Sequence, residues 1–180
     1  MYKILFIIIA GLISSASYSQ NENYFGASIS SIGYSERGFP DLDLSSLNLI
    51  AGQNINDNLA AEVRLGFGIR GETINAATLG LEEDVNVDLD LDKFMGIYLK
   101  YSLESSNSII PYATLGYTHA KAKASVMDVS ASASESDISM GLGVDISLNQ
   151  KTSLNIEYMN FIDTNTITAD GISVGLRTAL

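Results

Sequence analysis

The chain contains no cysteine, one histidine and only 10 lysines and arginines against 21 aspartates and glutamates in 180 residues. Without cysteine there is no disulfide framework, no thiolate zinc site and no thiol nucleophile. A net charge of −11 argues against a nucleic-acid partner, because phosphate recognition needs a cationic face. No Gly-rich phosphate loop at a strand–helix junction and no metal-ligand spacing is present, so the sequence implies no cofactor. Long apolar runs are missing too: after residue 20 nothing approaches the ~18–20 apolar residues of a membrane-spanning helix. These absences do not add up to disorder. Apolar residues make up 46% of the chain, enough for a core or an apolar surface, and the length suits one domain.

The N-terminus has the layout of an export signal. Lys3 supplies a cation, residues 4–13 carry no polar side chain, and Ser17 and Ser19 occupy the small-residue positions before a cut. The apolar run is too short to span a bilayer, which takes ~20 residues as a helix. The expected division is a signal peptide over 1–19 and a single domain over 20–180, beginning at Gln20.

The rest alternates with period two. Eight runs are predicted as strands: 24–31, 47–55, 59–70, 85–103, 109–119, 138–148, 153–161 and 168–180. In the third, Ala61, Val63, Leu65, Phe67 and Ile69 alternate with Glu62, Arg64, Gly66, Gly68 and Arg70. In the fourth one parity is expected throughout, with Val87, Leu89, Leu91, Met95, Ile97 and Leu99 on one face and Asp88, Asp90, Asp92, Gly96, Tyr98 and Lys100 on the other; only Lys93 interrupts it. Connections alternate in length. Short ones are expected at 56–58, 104–108 and 149–151, longer ones at 32–46, 71–84, 120–137 and 162–167. The expected fold is all-β, an eight-stranded antiparallel up-and-down transmembrane β-barrel with short periplasmic turns and longer outer loops.

A water-soluble eight-stranded barrel alternates as well. The two kinds differ in what clothes the outside. Here the less apolar face is mostly Gly, Ser, Asn and Thr, poor cladding for water but good filling for a lumen only wide enough for side chains. The other face is Leu, Val, Ile, Met and Ala, with Tyr101, Tyr117 and Tyr158 near run ends where interfacial aromatics sit.

Several stretches resemble a known family. They are residues 51–62 (AGQNINDNLAAE), 111–117 (PYATLGY), 141–145 (GLGVD) and 154–158 (LNIEY). In order and spacing, they are similar to the small eight-stranded outer-membrane β-barrels of Gram-negative bacteria, a group that includes opacity adhesins, attachment–invasion proteins and the barrel domain of outer membrane protein A. The resemblance implies the cell outer membrane as location. It also implies a C-terminal strand read by the barrel assembly machinery: Gly175 keeps its place, whereas Thr178 and Leu180 stand where the family usually has aromatic residues. Gln53 stands where the family commonly has Tyr.

Counted from the turns, Glu62, Arg64, Lys100, Asp145, Glu157 and Arg177 fall near one level in the periplasmic half of the lumen. Three acids meet three bases, with Glu62 next to Lys100 and Glu157 next to Arg177 on neighbouring strands. Two roles are open: a polar plug that fixes register and blocks flow, or a gate whose re-pairing opens a narrow pore.

Between residues 36 and 170 the outer half holds fifteen acids and five bases, which disfavours heparin-like glycans as partners by charge alone. Asp88, Asp90 and Asp92 are weak metal candidates, since Ca²⁺ takes oxygen ligands but no Asp-x-Asp-x-Asp-Gly loop gathers them; the expectation is a solvated acidic rim and no dedicated metal site. Divalent ions could still bridge the rim to lipopolysaccharide. The Ser/Ala tract at 125–137 reads as a mobile loop or a strand extension. His119 is the single base for a lipid A-modifying enzyme and lacks a His-x-Ser neighbour.

The expected function is therefore a non-enzymatic, monomeric outer-membrane barrel with a structural or adhesion-type role through four acidic loops that meet lipopolysaccharide, a host surface or another cell. A narrow porin-like channel is the alternative, and a lipid A enzyme comes third. Paired lumen charges would argue for a closed barrel, an apolar lined path for hydrophobic transport.

Overall fold

The computed structural model describes residues 23–75, 86–103, 108–126 and 129–180. The expected signal peptide lies outside the described residues, as do most of the 71–84 connection and the 104–107 turn. Among the described residues there are nine strands: β1 (Asn23–Glu36), β2 (Leu42–Asn54), β3 (Leu59–Arg70), β4 (Glu72–Asn75), β5 (Asn86–Ser102), β6 (Ile109–Val126), β7 (Val129–Ser147), β8 (Thr152–Asp163) and β9 (Ile167–Ala179). β3 and β4 both pair with β5 and are separated only by Gly71, so they form one stave of the wall. Every pairing is antiparallel, and β1 pairs with both β2 and β9. The sheet thus closes into an eight-stranded barrel without a free edge through the band where all staves pair, as lipid requires of a sheet that spans it.

Side-chain size decides the faces. Along β1, Phe25, Ala27 and Ile29 are exposed while Ser28 and Ser30 are buried. The same holds around the ring, where Leu49, Ile97, Leu115, Ile138, Leu142, Tyr158 and Val174 stand outside as a belt of large apolar groups. Water-soluble monomers rarely expose so many large apolar groups together. Tyr101, Tyr117 and Tyr158 are each about half exposed on that outer surface.

Two of the turns at the end that holds both strand termini, Asn23 and Ala179, are built by asparagine. The Asn56 side-chain oxygen accepts from the amides of Asn58 and Leu59, and that of Asn149 accepts from Lys151 and Thr152. A short polar side chain that mimics a backbone turn suits a tight hairpin. We call this the turn end and the opposite one the hairpin end.

The hairpin end differs from the sequence-based expectation. Strands continue through much of what was expected to be loop. β1 and β2 are separated only by residues 37–41, where Gly38 takes φ +93°. β6 and β7 stay in register up to Val126 opposite Val129, so the described part of the Ser/Ala tract is strand extension. Serine alternates with alanine here, Ser130, Ser132 and Ser134 on one face and Ala131 and Ala133 on the other, and two such small residue types give only a weak apolar parity to read, although the ladder itself continues.

A second difference lies in β5. Its pairing with β6 shifts between Leu91 and Lys93, a β-bulge that reverses which side chains face inward beyond that point. Asp88, Asp90 and Asp92 are therefore exposed, while Val87, Leu89 and Leu91 are partly covered. The single parity expected across 85–103 fails here, and Lys93, the residue that interrupted the pattern, marks the bulge. Bulges also occur between Ser45 and Ser46 opposite β3, and between Asn160 and Ile162 in β8.

Candidate functional site

The lumen is filled in layers. Nearest the turn end, six charges from five strands share one cluster. β3 supplies Glu62 and Arg64, β5 Lys100, β7 Asp145, β8 Glu157 and β9 Arg177. Arg64 is the hub. Its Nη2 lies 2.6 Å from Glu62 Oε2, its Nη1 2.5 Å from Glu157 Oε1, and its Nη2 donates to Glu157 Oε2 at 3.0 Å. Arg177 Nη1 donates to Asp145 Oδ1 at 2.7 Å and its Nη2 is 3.3 Å from Glu62 Oε1. Lys100 pairs with the other oxygen of Asp145.

The neighbour pairs expected from sequence are not the main ones. Lys100 reaches past β6 to Asp145 rather than to Glu62, Arg177 is 3.9 Å from Glu157 but bonded to Asp145, and Arg64 of β3 grips Glu157 of the distant β8. In a lumen a few side chains wide, strands far apart in the ring are as close as neighbours, so ring order does not dictate pairing.

Tyrosines complete the cluster. Tyr24 donates to Glu62 Oε1 at 2.5 Å and Tyr112 to Glu157 Oε2 at 2.8 Å. Asn155 donates to Asp145 at 3.0 Å and to the Tyr112 hydroxyl. The Arg64 guanidinium stacks on Tyr98 at 4.6 Å, and Lys100 and Arg177 lie over Tyr112 at 4.5 and 5.1 Å. Such cation–π contacts add most where water is excluded. Sequence reasoning missed these aromatic partners. The signal was present in the inward glycines: Gly52 faces the Tyr24 ring, Gly66 the Phe94 ring, Gly116 the Tyr98 ring and Gly143 the Tyr112 ring, each with no room for a Cβ. A glycine on one stave makes the seat for an aromatic from another.

Above the charges lies a hydroxyl layer. Tyr98, Thr118 and Ser139 bond in series at 2.6 and 2.5 Å, and Ser139 donates to the Phe161 carbonyl at 2.9 Å. Asn48 ties Ser28, Ser30 and Ser46 on the opposite wall. An apolar layer then crosses the lumen, built of Ile32, Leu44, Phe94, Met159, Phe161 and Ile162, with Phe94 and Phe161 centroids 5.3 Å apart. Beyond it, toward the hairpin end, an apolar cavity of about 80 Å³ remains.

The other candidates are placed as follows. Asp88 accepts from Thr73 at 2.7 Å and Asp92 lies 3.4 Å from Lys121, so the three aspartates lie on successive rungs of the outer face rather than around one point. His119 stands opposite Ser136 across β6–β7, with Nδ1 2.7 Å from Oγ, a partner that no local motif revealed. Among the described residues no carboxylate hydrogen-bonds its ring. Gly175 packs where a Cβ would meet the Ala27 carbonyl oxygen at 2.3 Å, at the seam of β1 and β9; Thr178 is 3.5 Å from Thr152 Oγ1, and Leu180 is exposed with its amide on the Asn23 carbonyl.

The model of the outer membrane protein beta-barrel domain matches residues 4–178. Among solved structures, the fold is similar to Ail, the attachment invasion locus protein of Yersinia pestis, at 16% identity over 90% of this chain and 100% of that one, with TM-score 0.66. Ail has also been solved with the heparin analogue sucrose octasulfate. Neisserial surface protein A matches at 16% identity, 89% and 99% coverage and TM-score 0.65. The N-terminal β-barrel domain of Pseudomonas aeruginosa OprF matches at 13%, 86% and 97%, and 0.52. Among curated proteins no sequence matches.

Proposed function

Because the chain belongs to the outer membrane protein β-barrel domain family and resides in the cell outer membrane, we propose that it is a sealed, non-enzymatic barrel that acts at the cell surface through its outer hairpins. The observation that carries this reading is the occlusion of the lumen. Glu62, Arg64, Glu157 and Arg177 are each at most 5% exposed, and a buried aromatic and aliphatic layer lies above them. A small barrel filled by its own side chains gives solutes no path, so contact is left to the hairpin end, where loops on a rigid wall commonly carry function.

Conductance tests the seal. The purified barrel in a planar bilayer is expected to stay silent, with Glu62→Gln and Arg177→Gln equally silent because the apolar layer persists. Discrete openings that change with these substitutions would transfer the function to a gated pore.

The surface partner differs in charge from the ligand named for Ail. Glu36, Asp41, Asp43, Glu72 and Glu135 gather at the hairpin end here, so a polysulfated ligand is repelled. A lipopolysaccharide or cell-surface partner would reach these carboxylates through divalent ions or its own cations. Retention of the barrel on immobilised heparin at moderate salt is the result that contradicts this. The non-enzymatic reading rests on His119 lacking an orienting acid; an altered lipid A profile in cells carrying His119→Ala would sink it. For export, Gly175, Thr178 and Leu180 form the strand offered to the assembly machinery. Leu180→Phe, which restores an aromatic end, is expected to raise the yield of folded barrel.

A further inference from the structure

We propose that the apolar cavity at the hairpin end of the lumen is a binding site for the end of a single unbranched aliphatic chain carrying a neutral head group. The inference does not depend on the surface role above. It starts from the fact that the inward face changes character along the barrel axis. Toward the turns it is charged; beyond the bulges it is lined by Ile32, Leu44, Leu91, Phe94, Phe161 and Ile162. The bulge in β5 turns Leu91 inward in place of Asp92, and the one in β8 buries Phe161 and Ile162 in succession. Water has little to hold it there. Its polar lining groups are Tyr34, Thr118, Ser134 and Glu135; the Thr118 hydroxyl is already shared between Tyr98 and Ser139, so water finds few partners along the apolar part of the wall.

Size selects the ligand's shape. The cavity measures about 80 Å³, roughly half the ~150 Å³ that accommodates a benzene ring. A ring system has less room there than the terminal carbons of a straight chain. The floor selects depth: Phe94 and Phe161 close it above the charged layer, so the chain enters and stops rather than passing through. The mouth selects the head. Tyr34 lines the cavity and donates its hydroxyl to Glu36 Oε2 at 2.5 Å, and Glu135 lines the same wall. Two carboxylates beside the entrance repel a fatty carboxylate or phosphate, while the tyrosine–glutamate pair leaves acceptor oxygens for a hydroxyl.

The test uses the barrel isolated from membranes and placed in lipid nanodiscs, with octanol bearing a terminal diazirine as photoprobe. Mass spectrometry of the illuminated protein is expected to find label on Phe94, Phe161 or Ile162, apart from label on lipid-facing residues such as Leu115. Ala120→Phe, which fills the cavity from β6, should cut lumen labelling at least tenfold while lipid-facing label is unchanged. Heat-modifiable migration certifies that the variant is folded; if it is not, Ala169→Leu fills the cavity from β9 and is read instead. Competition by straight-chain alcohols, at equal free aqueous concentration, should strengthen roughly fourfold per methylene and level off once the cavity is full, unlike partition into disc lipid. Octanoate should compete at least tenfold less well than octanol, and Glu135→Gln should narrow that gap. Label confined to lipid-facing residues, or lumen label indifferent to a folded cavity-filling variant, overturns the site. Equal competition by octanoate overturns the neutral head group.

Discussion

Arg64→Ala is expected to destabilise the barrel by about 3–5 kcal/mol, the range for removing one partner of a buried ion pair. The side chain is 5% exposed, bridges Glu62 and Glu157, and stacks on Tyr98. Without it two buried carboxylates share Arg177, which lies 3.3 Å from one and 3.9 Å from the other and is already committed to Asp145. The physical origin of the loss is the stranded charge more than the missing attraction, and this can be separated. In Arg64→Met with Glu157→Gln, two acids (Glu62, Asp145) face two bases (Lys100, Arg177), no charge of the cluster is left over, and most of the loss should return. Arg64→Lys keeps the charge but loses the planar fork that grips both carboxylates, so it should fall between. Equilibrium urea unfolding of the barrel in lipid vesicles reads all three. A loss below about 1 kcal/mol for Arg64→Ala would mean that the cluster rearranges around the gap, contrary to a plug that fixes register.

Gly66→Val is expected to cost about 2–3 kcal/mol in the same measurement, as overpacking of a filled interior does. A Cβ on Gly66 would lie 2.1 Å from the Phe94 ring, and the nearest three atoms all belong to that ring. Phe94 cannot simply step aside, because it packs on Phe161 and belongs to the layer that caps the charges. The clash is with one side chain and not with backbone, so it is removable. In a Phe94→Ala background the added cost of Gly66→Val should drop below about 1 kcal/mol, a coupling that a double-mutant cycle detects. Equal cost in both backgrounds would show that the glycine is needed for strand geometry instead.

Much of this fold was legible because lipid imposes a strict rule on sequence. Phe25, Ile29, Leu49, Ile97 and Val174 had to face outward together, and period two carries that directly. The alternation stopped being readable where lipid stopped enforcing it. Beyond Ala120 and before Asp137 the strands alternate alanine and serine with a few charges, and their pairing leaves only a weak apolar signature. Lys93, which breaks the alternation of its strand, is the visible mark of the bulge that puts Asp88, Asp90 and Asp92 outside and Leu91 inside.

The sequence by itself determined the alternating wall, the acidic outer half and the common height of Glu62, Arg64, Lys100, Asp145, Glu157 and Arg177, because each depends on counting residues from a turn along one strand. The tertiary structure decided which charge meets which, why four glycines sit opposite Tyr24, Phe94, Tyr98 and Tyr112, and that the lumen changes from ionic to apolar on its way out. Those are distances across a closed ring. They depend on how the staves shear past one another and where the bulges fall, quantities set by the pairing of all strands together and written in none of them alone.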